Sequence, residues 1–89
     1  MINIAIVEDE KKYQELLVSY FDRYNAEKGE KFHVVCYGNP VDFLTAYTPN
    51  FDIVLMDIEL PDFNGIEASR KLRQLDNTVA LIFVTNMAQ

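Results

Sequence analysis

Apolar positions along this chain alternate between unbroken runs and a helical rhythm. Residues 2–7, Ile2-Asn3-Ile4-Ala5-Ile6-Val7, form a short, nearly all-apolar run closed by Glu8-Asp9-Glu10. Its length and β-branching predict a strand buried on both faces. Tyr13, Leu16, Leu17, Tyr20, Phe21 and Tyr24 then recur at steps of 3, 1, 3, 1 and 3. That spacing lays one apolar face along a helix of roughly 15–18 residues, with Gly29 as its stop. Phe32 to Tyr37 predicts a second strand. Asn39-Pro40 reads as a helix N-cap followed by proline at the first helical position. Val41, Phe43, Leu44 and Tyr47 carry the short helix that follows, ended before Pro49. Phe51 to Met56 predicts a third strand, closed by Asp57, and Leu60 to Asn64 a loop containing Pro61. Gly65 to Leu75 predicts a helix with Ile66, Leu72 and Leu75 inward and Glu67, Arg70, Lys71 and Arg73 outward. Val79 to Val84 is a fourth strand, apolar at every position and closed by Thr85.

Strands and helices therefore alternate as β-α-β-α-β-α-β. Apolar strands joined by helical crossovers mean a parallel sheet covered on both faces, an α/β doubly wound fold. Right-handed crossovers bring the C-terminal end of every strand to one edge. Ligands of such sheets bind at that edge, near the point where strand order reverses.

The residues closing the strands therefore carry the candidate chemistry. Strand one ends in Glu8 and Asp9, strand three in Asp57 and strand four in Thr85. A strand order of 2-1-3-4 would make strands one and three neighbours, about 4.8 Å apart, and three carboxylates would converge. Charges so close repel, so either a carboxyl stays protonated or a cation sits among them. A single acid at a strand end is an ordinary solvated residue, whereas three at two strand ends on one edge favour a cation site. All-oxygen ligands, with no His or Cys nearby in sequence, select Mg²⁺ or a similar hard ion.

Composition narrows the alternatives. The 89 residues suit one small domain. With 49% hydrophobic and 25% charged residues the chain has the means to build a core, which excludes disorder. The longest apolar runs fall far short of the roughly 18–20 residues of a membrane span. The opening MINIAIVEDE has no basic segment before its apolar stretch, so it is not a signal peptide and the cytoplasm is the expected compartment. The net charge of −6 argues against nucleic-acid binding by this segment, because phosphate contacts need a basic face. The single cysteine, Cys36, excludes an internal disulfide and a Cys-rich zinc site, and it reads as a small buried strand residue. His33 reads as a half-exposed structural residue, Tyr13, Tyr20 and Tyr24 as core or core-edge packing, and Asp62 as added negative field beside the site.

Ile4-Ala5-Ile6-Val7-Glu8-Asp9-Glu10, Ile53-Val54-Leu55-Met56-Asp57-Ile58-Glu59-Leu60-Pro61, Gly65 and Phe83-Val84-Thr85-Asn86 together resemble the receiver domain of bacterial two-component response regulators. The acid pair, the aspartate with proline four and glycine eight residues later, and the threonine closing strand four all fall at that family's spacings. The resemblance covers the whole chain. It implies a flavodoxin-like sheet and a phosphorylation switch in which Asp57 accepts a phosphoryl group from a sensor histidine kinase. It further implies Mg²⁺ bound directly by Asp9 and Asp57, with Glu8 acting mainly through water and the backbone carbonyl of Glu59 as a further ligand. Thr85 would sense the phosphate with its hydroxyl. The segments 56–61 and 84–89 are most similar to regulators that carry a LytTR-type DNA-binding domain after the receiver.

Family members continue with a fourth helix, a fifth strand ending in a lysine, and a last helix. By this resemblance residues 1–89 are a truncated receiver domain without those elements, and Lys71, outward on the third helix, does not replace the lysine. An uncovered fourth strand is expected to make the chain self-associate as a two-fold dimer or an exchanged oligomer. Two other readings stand beside the switch. A phosphotransferase of the haloacid-dehalogenase type also places an aspartate nucleophile at a strand end, but it wants Asp-x-Asp, and here the second acid is Glu59 followed by Leu60-Pro61. The other is a non-switching receiver fragment that acts only as an association module.

Overall fold

The computed structural model describes residues 1–29, 31–58 and 65–84. Its elements are β1 (Ile2–Val7), α1 (Lys11–Lys28), β2 (Phe32–Tyr37), α2 (Pro40–Thr45), β3 (Ile53–Asp57), α3 (Gly65–Leu75) and β4 (Ala80–Val84). The four strands form one parallel sheet in the order β2-β1-β3-β4. The expected order is thus observed, and β1 and β3 occupy the centre.

Side chains alternate across the pleat, so each strand feeds two cores. Ala5, Val7, Val54 and Met56 pack with Phe43, Ala68, Leu72 and Val79 beneath α2 and α3. Ile4, Ile6 and Leu55 lie on the opposite face against Leu17, Val18 and Phe21 of α1. Register places Ile6 between Cys36 and Leu55, and Leu55 beside Ile82.

The helix ends follow local chemistry. Gly29 adopts a left-handed φ of 71° and its N–H donates to the Asn25 carbonyl at 3.1 Å, which closes α1. Asn39 caps α2: its Oδ1 accepts from the Asp42 N–H at 2.8 Å, with Pro40 in the first turn. Tyr47 lies beyond the end of α2 yet still packs on the core, while Val41 is exposed.

Helix faces depart from the periodicity reading. On α1 the stripe turned to the sheet is Gln14, Leu17, Val18, Phe21 and Asn25, and Leu16, Tyr20 and Tyr24 are exposed. The predicted stripe keeps Tyr13, which is half-buried, as well as Leu17 and Phe21, and the observed one was obscured by its polar members. Those members are satisfied by backbone: Gln14 Nε2 donates to the Glu8 carbonyl, and Asn25 exchanges hydrogen bonds with both backbone groups of Phe32. Tyr24 instead sets its ring edge-on to Phe32, with centroids 5.4 Å apart. On α3 the buried residues are Ala68 and Leu72, and Ile66 and Leu75 face outward.

Two strands also start later than their apolar runs. β3 begins at Ile53 because Asp52 is held outside it, its N–H donating to the Asn3 carbonyl and its carboxylate accepting from the Asn3 N–H, each at 2.8 Å. β4 begins at Ala80 and is not covered on both faces: Ile82 is 48% and Phe83 40% exposed. It is an edge strand, and α1 packs over the β2 and β1 side of the sheet.

Candidate functional site

The parallel register aligns Val7 of β1 with Met56 of β3, so the residues that follow both emerge at the same edge. Glu8 prolongs the β1–β2 ladder by one bond, its N–H donating to the Tyr37 carbonyl at 3.0 Å. Asp57 is the last residue of β3, and the next N–H, of Ile58, donates to the Val84 carbonyl at 3.2 Å. Backbone pairing on central strands thus carries two acids into the interior. Glu8 and Asp57 are each only 3% exposed, while Asp9, at the start of the β1–α1 turn, is open to solvent. One carboxylate oxygen from each of Glu8, Asp9 and Asp57 lies within 4.8 Å of the others.

Electrostatics at this cluster follow from burial. Desolvation raises the Glu8 carboxyl first, its hydrogen bond to Asp57 and the Asp57 charge raise it further, and Asp9 adds to both effects, so that its pKa is pushed up to about 8. Its Oε2 also accepts from the Asp9 N–H at 3.0 Å. The direction of that shift favours a proton on Glu8 whenever no cation offsets the crowding of the three acids. A hard cation would meet an all-oxygen donor set that is already assembled.

Thr85, the Glu59 carbonyl and Asp62 lie outside the described residues. His33 is exposed on β2, and Lys71 lies on the exposed surface of α3. Cys36 is half-buried, and desolvation raises its thiol pKa, as suits a packing residue. The sequence reading passed over Gln14. Its signal was positional: a half-buried amide one turn into α1, on the stripe that faces the sheet.

No helix among the described residues is long and apolar enough to cross a membrane. The family description "Response regulator receiver domain" matches residues 4–89. The TorCAD operon transcriptional regulatory protein TorR of Escherichia coli O157:H7 is 39% identical over 83 residues, which is 93% of this chain and 34% of that protein. The chain spans about a third of the length of TorR and of the Staphylococcus haemolyticus response regulator ArlR, and less of some other curated relatives. Among solved structures, the Thermotoga maritima response regulator TrrA in complex with Mg²⁺ and BeF superposes with a TM-score of 0.82 at 26% identity, covering 99% of this chain and 72% of that one. TrrA in complex with the histidine kinase ThkA superposes with a TM-score of 0.80 at 26% identity, covering 100% of this chain and 72% of that one. With the sheet order, the acids at the ends of β1 and β3 and a match running from residue 4 to residue 89, the chain belongs to the receiver-domain family of two-component response regulators.

Proposed function

We propose that Asp57 is the phosphoacceptor of this receiver domain and that the transfer depends on Mg²⁺. The observation that carries this reading is the convergence of Glu8, Asp9 and Asp57, oxygens within 4.8 Å, at the ends of two adjacent central strands. Asp9 and Asp57 would hold the cation directly, with Glu8 acting through water and the Glu59 carbonyl as a further ligand. When bound, Mg²⁺ screens the repulsion between a carboxylate nucleophile and an anionic phosphoryl donor. The Asp57 carboxylate attacks phosphorus, an O–P bond forms, and the donor's P–N bond breaks. The departing imidazole of the histidine kinase then takes up a proton from water. The product adds about −1.5 to −2 charge and new acceptor oxygens at the sheet edge. Thr85, one residue past β4, would answer that change by donating its hydroxyl.

Partners follow from the same reading. The donor is a sensor histidine kinase, in keeping with the ThkA–TrrA complex. The exchange is cytoplasmic, and the switched output is a DNA-binding domain outside residues 1–89, of LytTR type by the wording of 56–61 and 84–89. This segment itself, at net charge −6, does not bind nucleic acid. The exposed Ile82 and Phe83 on the β4 edge support self-association of residues 1–89.

Intact-mass measurement after incubation with Mg²⁺ and acetyl phosphate tests the assignment. A single phosphoryl adduct is expected on the native chain and none on Asp57→Ala. An adduct retained by the variant places the acceptor elsewhere, and no adduct on the native chain favours a non-switching association module.

A further inference from the structure

We infer that Gln14 is a positioning residue for the cation site, holding the β1–α1 turn through its side-chain amide. The inference rests on the reading of Glu8, Asp9 and Asp57 as that site. Helix α1 begins without a side-chain cap: Glu10 stands at the N-cap in an extended conformation and makes no capping hydrogen bond. The turn that carries Asp9 therefore lacks the usual local anchor. Gln14, one turn into the helix and half-buried, replaces it by donating from Nε2 back to the Glu8 carbonyl.

This bond completes the backbone accounting at Glu8. Its N–H is tied to Tyr37 of β2, its carbonyl to Gln14 of α1, and its carboxylate accepts from the Asp9 N–H. The first turn of α1 is thus fastened to the last ladder residue of β1, and the only residues between are Asp9 and Glu10. Asp9 is solvent-exposed, and its N–H donates to the Glu8 carboxyl. Its position relative to the buried Asp57 therefore depends on how Glu8 and the two ends of the turn are held, and Gln14 secures one of those ends. Groups that orient a metal ligand without touching the metal typically change affinity by about 10-fold or more when removed.

Mn²⁺ binding, followed by the electron paramagnetic resonance signal of the free ion, tests this on the whole 89-residue chain. Native protein should bind and Asp9→Asn should not; failure of the native chain to bind overturns the cation-site reading itself. Gln14→Met keeps the side-chain length and removes the donor. It should weaken Mn²⁺ binding about tenfold while metal-free circular dichroism stays native. Equal affinity in a folded Gln14→Met protein overturns the role of Gln14 and leaves the site intact. Should that variant not fold, nitrogen-15 spectra of the native chain decide. The Gln14 side-chain amide is expected to shift with Mg²⁺ at the same midpoint as the Asp9 backbone amide, and an amide that does not move overturns the inference.

Discussion

At the scale of single residues, Glu8 is pulled between two requirements. The ladder bond to Tyr37 carries it inside, and burial beside Asp57 then opposes its charge. Because its pKa is raised in the folded chain, the native state keeps a proton that the unfolded chain has already released. The stability contributed by this group is therefore present below the ordinary pKa of 4.5 and is lost as pH rises toward about 8. Within that window the slope reaches at most about 1.4 kcal/mol per pH unit. Thermal melts of the metal-free chain should accordingly fall in Tm across the window, and Glu8→Gln should flatten the decline. A cation reverses the requirement by favouring the ionised form. The gain in Tm from several millimolar Mg²⁺ should therefore grow with pH. Asp9→Asn should remove that gain more completely than Glu8→Gln, because Asp9 is the proposed direct ligand.

Elements are joined by a few polar contacts whose sign can be worked out. Tyr47, just past α2, donates to the Asp76 carboxylate at 2.6 Å, and the other oxygen of Asp76 accepts from the N–H and hydroxyl of Thr78 and the N–H of Val79. The Tyr47 hydroxyl, and after it the Thr78 contacts, hold Asp76 down at about 2. Burial, and then Asp76, raise the tyrosine in turn. A lowered carboxyl contributes stability above its ordinary pKa of 3.8, lost as pH falls toward about 2. Tyr47→Phe should raise the Asp76 pKa, read from its carboxyl carbon in an NMR titration. The α3 face offers a second test. Leu72 is fully buried and Leu75 exposed, so Leu72→Ala should cost about 2–5 kcal/mol. Leu75→Ala should stay within about 0.5 kcal/mol in urea unfolding. Similar losses at both positions would return α3 to the face that hydropathy alone predicts.

For the whole molecule, the determining feature is an uneven sheet. Its centre is sealed between α1 on one side and α2 with α3 on the other, while the β4 edge leaves Ile82 and Phe83 exposed on opposite faces. Parallel edge strands present a row of hydrogen-bonding groups that another strand can use. Residues 1–89 should therefore associate in solution, and light scattering across a dilution series should show a mass that falls toward the monomer. Ile82→Lys should shift that series to the monomer at higher concentration. A native chain that scatters as a monomer throughout the micromolar range would show that the exposed β4 residues do not drive association.

Strand positions, helix ends and candidate acids were legible in the sequence because each depends on neighbours along the chain. A run such as Ile53 to Met56 has no polar side to turn to water, so it belongs inside a sheet whichever strands flank it. Asn39-Pro40 and Gly29 act within a turn or so of themselves. Which stripe of α1 meets the sheet was decided only in three dimensions. Periodicity sets the angle between side chains but not the rotation of the helix about its axis. That rotation is chosen where Gln14 and Asn25 find backbone partners at the end of β1 and the start of β2. The same holds for Ala68 over Ile66, for the exposed half of β4, and for the raised pKa of Glu8. That shift comes from burial first and then from Asp57, 49 residues away in sequence and brought within reach by pairing β1 with β3.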